Sequence, residues 1–230
     1  IDAAKNLKLI CESATGVNNI DVEYAGKKGI PVRNAVGYST PTVVQATFMH
    51  ILSLVGHAPY YDAVVKDGRY SVSGMFTDVS VTWCELVGKT IGIIGMGNIG
   101  QSIAGRAVAC GMKIIYNNRR RLPEEIERRY NAEYVNLETL LRTSDFVSLN
   151  LPYTPDSHHI INEDTLSMMK QGAVLINTAR GAHIDEAALV RHLRSGHLYG
   201  AALDVYEFEP HVTPELLELD NVVLSPHIGT

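Results

Sequence analysis

An arginine, a glutamate and a histidine stand just beyond three successive apolar runs. Arg180 follows "AVLINTA", Glu209 closes "GAALDVYEFEP", and His227 lies in "VVLSPHIG". These side chains have the chemistry that a ketone beside a carboxylate requires. The arginine cation can pair with the carboxylate through its planar fork and polarise the neighbouring carbonyl. Histidine exchanges a proton near neutral pH, and an adjacent carboxylate favours its protonated form. The trio lacks a hydride, so reduction of a 2-oxo acid would need a nicotinamide cofactor. Taken singly, each has a plainer reading: an ion-pair arginine, a turn glutamate before Pro210, a core histidine. The ordered set carries the argument.

A place for such a cofactor lies upstream, where "TIGIIGMGNIG" leads from a β-rich stretch into Gly95, Gly97 and Gly100. In a strand, turn and helix of this form, the first glycine permits the tight turn. The second lets a pyrophosphate approach the backbone, and the third lets the helix pack on the strand. Amides at the helix N-terminus then face the phosphates. The next strand, "MKIIYN", ends at Asn118, about 20 residues after the first glycine, where NAD-binding chains carry an acid for the ribose 2′-hydroxyl. Asn118 has no charge to repel a 2′-phosphate, and Arg119 and Arg120 can pair with one. The plainer alternative makes Arg119 to Arg121 a solvated face answering the acidic "EEIE" downstream. The position favours NADP, with NAD left open.

These residues need a scaffold that gathers strand ends. From Thr90 onward, short β-rich runs ("TIGIIG", "MKIIYN", "FVSLNLP", "AVLINTA", "YGAALDV", "VVLSPH") alternate with helical patterns. That rhythm specifies an α/β fold with a Rossmann-type, doubly wound parallel sheet. Ligands bind at the carboxyl ends of such strands. Asn162 and Asp185 read as helix N-caps, and Gly172 and Gly196 as residues just past helix ends. Thr40 and Pro41 can start one long helix, "PTVVQATFMHILSLVGHAPYYDAVV", too apolar to lie on an open surface. Residues 1–38 hold a strand, a helix and a strand, too little to close a core alone. They read as part of a second domain, and the chain as a fragment cut at both ends.

Composition excludes other classes. The 230 residues carry a formal charge of −5, which gives no basic field for nucleic acid or anionic membranes. No apolar run reaches the roughly 18 residues of a membrane span, and no signal-peptide layout opens the chain. A cytoplasmic location is expected. Cys11, Cys84 and Cys110 fit neither a disulfide framework nor a zinc site and read as reduced and structural. His158 and His159 lack the third ligand of a metal site and also read as structural. The tract Tyr60 to Trp83 reads as packing between subunits more than as a cofactor lid.

"GMGNIG", "NTARGAHIDEAAL", "GAALDVYEFEP" and "LSPHIG", in this order, resemble the D-isomer-specific 2-hydroxyacid dehydrogenases over nearly the whole chain. The resemblance implies a discontinuous substrate domain, including a small flavodoxin-like part at residues 1–38. It implies a dinucleotide-binding domain over 39–230 that includes the long helix, a cleft between the two, and a homodimer. By position, Arg180 would bind and polarise the substrate, Glu209 would be the partner carboxylate and His227 the acid/base. Asn98 and Ile99 would lie at the pyrophosphate, Thr178 and Ala179 at the nicotinamide pocket, and Asp204 at the nicotinamide amide. Ala14, Thr15 and Gly16 match the loop whose amides hold the substrate carboxylate. Thr15 stands where phosphite-oxidising members place lysine, which favours an organic acid. Asn118 and Gln45 depart from the family's usual acids. The implied substrates are hydroxypyruvate or glyoxylate first, then other small 2-oxo acids. Corepressors of the C-terminal-binding-protein type share the fold and the site, so an NAD(H)-regulated binding protein is the alternative.

Overall fold

The computed structural model describes residues 1–17 and 19–229. One parallel sheet organises most of them, in the order β5–β4–β3–β6–β7–β8–β9. Its strands are β3 (Thr90–Ile94), β4 (Lys113–Asn117), β5 (Ala132–Tyr134), β6 (Phe146–Leu149), β7 (Val174–Asn177), β8 (Gly200–Leu203) and β9 (Val222–Leu224). The chain enters at β3, winds outward to β5, then returns to the other side of β3 and winds outward again. Gly92 of β3 therefore aligns with Ile115 of β4 on one side and Val147 of β6 on the other. That reversal is the switch point at which a doubly wound sheet opens a crevice beyond its strand ends.

Helices cover both faces, which is why the inner strands read as unbroken apolar runs: every residue of β6, β7 and β8 is buried. On one face Ile91, Ile93, Tyr116 and Ile176 pack against α2 (Thr40–Val55) and α5 (Asn98–Ala109), through Phe48, Ile51, Ile103 and Ala107. On the other, Ile94, Val147, Leu149 and Leu175 meet α7 (Leu137–Thr143), α8 (Glu163–Met168) and α9 (Glu186–Arg194). The N-terminal part forms a two-stranded parallel sheet, β1 (Ile10–Glu12) beside β2 (Val32–Asn34), joined by α1 (Val22–Lys27).

Four local expectations change. The long apolar helix is two helices, because α2 ends at Gly56, His57 is left-handed (φ 48°), and α3 (Ala58–Lys66) starts afresh. Pro59 lies in the first turn of α3, and within one continuous helix it would have removed a hydrogen bond and clashed. A side chain at Gly56 would stand 2.8 Å from the Leu52 carbonyl oxygen and 3.2 Å from the Trp83 ring. Strand β4 stops at Asn117, one residue before Asn118. Gly172 is left-handed, as supposed, but α8 has already ended at Met168, and Gly172 serves the turn into β7. Three-residue β5, between α6 (Glu124–Tyr130) and α7, was not anticipated, being too short to show a period. Asn162 and Asp185 do cap α8 and α9 with their side chains, and Gly196 follows the α9 C-cap at φ 71°.

Candidate active site

At the end of β3 the glycine loop divides its roles as its spacing requires. Gly95 has φ 93°, and a Cβ there would lie 2.8 Å from the backbone at Asn150 and Leu151. A Cβ at Gly100 would lie 2.5 Å from the Gly95 carbonyl oxygen, so only glycine lets α5 approach β3 this closely. At Gly97 a Cβ would meet nothing within 4 Å. Gln101 bonds the Gly97 carbonyl, whereas the amides of Asn98, Ile99 and Gly100 make no backbone bond among the described residues. An open glycine at a helix N-terminus with unpaired amides fits a dinucleotide pyrophosphate.

Beyond β4, Asn118 serves the same loop: its Oδ1 accepts the Met96 N–H at 2.7 Å. The arginines that follow separate. Arg121 donates two bonds to Glu127, at 2.9 and 2.8 Å, and Tyr116 donates a third at 2.6 Å. Arg121 and then Tyr116 hold the Glu127 carboxyl down at about 2. Arg121 is thus a structural cation answering "EEIE". Arg119 and Arg120 are exposed and make no ion pair among the described residues.

The ends of β7, β8 and β9 bring the other candidates to the same edge of the sheet. Glu209 and His227, far apart in sequence, meet at 3.1 Å from Oε2 to Nδ1. A carboxylate can only accept, so Nδ1 carries the proton and Nε2 is left to act. The other Glu209 oxygen accepts the Tyr206 amide at 3.0 Å, which fixes the carboxylate plane. His227 is left-handed at φ 56°, and its amide is held by the Asp204 carbonyl at 2.8 Å. A cavity of about 390 Å³ opens beside the pair, lined by Tyr206, Pro210, Val212 and Leu224.

Asp204 is buried beneath this loop, with its carboxylate accepting the Ser225 hydroxyl, the Ile228 amide at 2.9 Å and the Gly229 amide at 2.7 Å. Burial alone would raise its pKa; the nearby His50 ring, 4.0 Å away, and the hydrogen bonds from Ser225 and those amides outweigh it and keep it below the ordinary value. Arg180 leaves the end of β7 half-buried, one of its guanidinium nitrogens donating to the Ala179 carbonyl at 2.6 Å. Thr178 is buried and bonded to Thr47 of α2 at 3.0 Å, and Ala179 donates its amide to Asn177. The loop of Ala14, Thr15 and Gly16 follows β1, with bonds to Asn34, Ala35 and Ser39.

The model of the D-isomer-specific 2-hydroxyacid dehydrogenase NAD-binding domain matches residues 48–229. The chain belongs to that family. A glyoxylate reductase of Thermococcus litoralis is 44% identical over 237 residues, covering 100% of this chain and 70% of the relative. A hydroxypyruvate reductase of Thermotoga maritima is 44% identical over 232 residues, covering 100% of this chain and 72% of the relative. Among solved structures, D-lactate dehydrogenase from Aquifex aeolicus complexed with NAD and lactic acid superimposes with TM-score 0.87 at 36% identity. That match covers 98% of this chain and 70% of the other.

Several residues of this candidate site carry no motif of their own. Asn177, at the end of β7, accepts the Ala179 amide and donates to the Arg180 carbonyl at 2.8 Å, shaping the loop that carries Arg180. His50, fully buried in α2, meets the Ser225 hydroxyl at 2.8 Å and so backs Asp204. His159 pairs with Glu207 at 2.6 Å and stacks on His158 with ring centroids 3.9 Å apart. A polar residue closing an apolar strand was the available signal for Asn177. Nothing local marks the partners of His50 and His159, because both pairings span long stretches of sequence.

Proposed function

We propose that this enzyme reduces a small 2-oxo acid, hydroxypyruvate or glyoxylate foremost, to the D-2-hydroxy acid, with NADPH preferred to NADH. The observation that carries the reading is the His227–Glu209 pair, set beside the Arg180 arm at the carboxyl ends of adjacent parallel strands. The cofactor supplies the hydride. Asn98, Ile99 and Gly100 would offer their amides to its pyrophosphate across the open face at Gly97, while the exposed Arg119 and Arg120, next to Asn118, would pair with a 2′-phosphate. Thr178, Ala179 and Asp204 are the residues that would hold the nicotinamide end.

Arg180 pairs with the substrate carboxylate and draws electron density from the ketone; Ala14, Thr15 and Gly16 complete the carboxylate's seat. His227 would give the Nε2 proton to the carbonyl oxygen of the ketone, and Glu209 would stabilise the cation beforehand through Nδ1. Residues 1–38 belong to the substrate domain in this reading and 39–230 to the nucleotide domain, in a cytoplasmic homodimer. The relatives named are two reductases and a dehydrogenase, which does not favour the corepressor alternative. That alternative predicts tight nucleotide binding without turnover.

Initial rates with hydroxypyruvate and then glyoxylate, each with NADPH and NADH, test the reading. NADPH should give the higher kcat/KM, and His227→Ala should lower kcat by about 100-fold or more while cofactor binding persists. Undiminished turnover in His227→Ala would remove the proton-donor assignment. Tight nucleotide binding with no turnover of either acid would bring forward the corepressor role.

A further inference from the structure

The catalytic arms are tied together by a second set of ionisable groups, one layer behind the reacting residues. Arg180 lies on the arm that follows β7, and Glu209 on the arm that follows β8. Their backbones touch: a Cβ at Gly181 would lie 1.9 Å from the carbonyl carbon and oxygen of Tyr206. Contact this close leaves no slack, so each arm's position dictates the other's.

Two glutamates clasp the contact. The Glu207 amide donates to Glu186 Oε1 at 2.8 Å, and the Glu186 amide donates back to Glu207 Oε2 at 3.3 Å. Glu186 opens α9, is 2% exposed, and accepts the Thr213 hydroxyl with its other oxygen. The remaining Glu207 oxygen meets His159 Nε2 at 2.6 Å. His159 grips both arms, since its backbone amide also donates to the Ala182 carbonyl at 3.0 Å. It does so from a left-handed conformation, φ 47°, uncommon outside glycine.

Two neighbouring carboxylates are costly to bury, and the bonds given to them are what hold them there. We infer that His159, Glu186 and Glu207 are positioning residues that fix Glu209, and through it His227, against Arg180. The inference rests on the catalytic reading above. None of the three touches the His227–Glu209 pair directly, so their effect is one of geometry. A misplacement of about 1 Å can cost on the order of 100-fold in rate.

The test is steady-state kinetics on the intact enzyme, with hydroxypyruvate as substrate, together with cofactor dissociation constants from nicotinamide fluorescence. Glu207→Ala should lower kcat by about tenfold or more, with cofactor affinity within about twofold of wild type. Glu207→Gln should restore most of kcat, because one amide can accept from the Glu186 N–H and donate to a neutral His159. His159→Ala, which removes one tie and leaves the reciprocal glutamate bonds, keeps the test open if Glu207→Ala does not fold; it should also lower kcat more than it changes cofactor affinity. Wild-type kcat in both Ala variants, or equal losses in Glu207→Gln and Glu207→Ala, would overturn the inference while leaving the reaction assigned. A wild-type enzyme that turns over no 2-oxo acid would remove the catalytic reading and this inference with it.

Discussion

Asn118 has one observed task and one proposed one, and an aspartate could perform only the first. As acceptor for the Met96 amide it closes the glycine loop, and a carboxylate oxygen would accept that bond equally well. In the proposed cofactor site it would also stand beside the ribose and leave room for a 2′-phosphate, which a carboxylate would repel. Asn118→Asp should therefore keep the loop and change the cofactor: the ratio of kcat/KM for NADPH to that for NADH should fall by about tenfold or more. An unchanged ratio would return Arg119 and Arg120 to being a solvated face. The arginine triplet also shows how far single residues are legible. Its type and place suggested a phosphate site, yet one of the three, Arg121, is committed to Glu127. Which arginine reaches Glu127 depends on where the chain turns after β4, and the letters alone do not show that.

At the scale of elements, the turn after Arg180 carries an ionisable group that burial works against. His183 is fully buried, with no hydrogen-bond partner for either ring nitrogen among the described residues. Burial first, and the Arg180 charge after it, depress its pKa from 6.5 to about 4; the nearby Pro152 carbonyl offsets this only in part. A depressed histidine pKa means that the unfolded chain binds the proton more readily. The contribution is whole above pH 6.5 and is lost as the pH falls toward 4, amounting to roughly 3 kcal/mol across that window. Urea unfolding at pH 7 and pH 4 should show this loss, and His183→Leu should flatten the slope between them. A slope unaltered by that substitution would mean that the ring is not kept dry on protonation. Elements with local signatures were legible: Asn162 and Asp185 cap their helices because a cap needs only its own next turn. The break at His57 was hidden by an apolar pattern that ran through it, although Pro59 was in plain sight. Neither the tie between His159 and Glu207 nor that between His50 and Ser225 has any local trace, since parallel strands pair residues that the sequence holds far apart.

At the scale of the whole molecule, an apolar tract stands in water. From the end of α4 (Arg69–Val72) toward β3, Val72, Phe76, Val79 and Trp83 are 85%, 95%, 80% and 63% exposed. The tract is held at its far end: the Tyr199 hydroxyl meets His57 Nε2 at 2.7 Å and lies 3.2 Å from the Thr82 carbonyl. An anchored segment that presents aromatic and branched side chains outward resembles the apolar centre of a subunit interface more than a solvated loop. The aromatic composition of the tract was visible in the sequence, whereas its exposure required the fold, because the same residues could have filled a core. In the proposed homodimer this tract is the contact, and its large side chains are where binding energy concentrates. Light scattering on a sizing column should then give twice the chain mass for the wild type. Phe76→Ser combined with Val79→Ser should weaken self-association by about tenfold or more, with cofactor binding retained because the glycine loop and its amides belong to a different part of the sheet. A wild-type enzyme that stays monomeric at high concentration would leave the tract without a partner copy and exclude the homodimer.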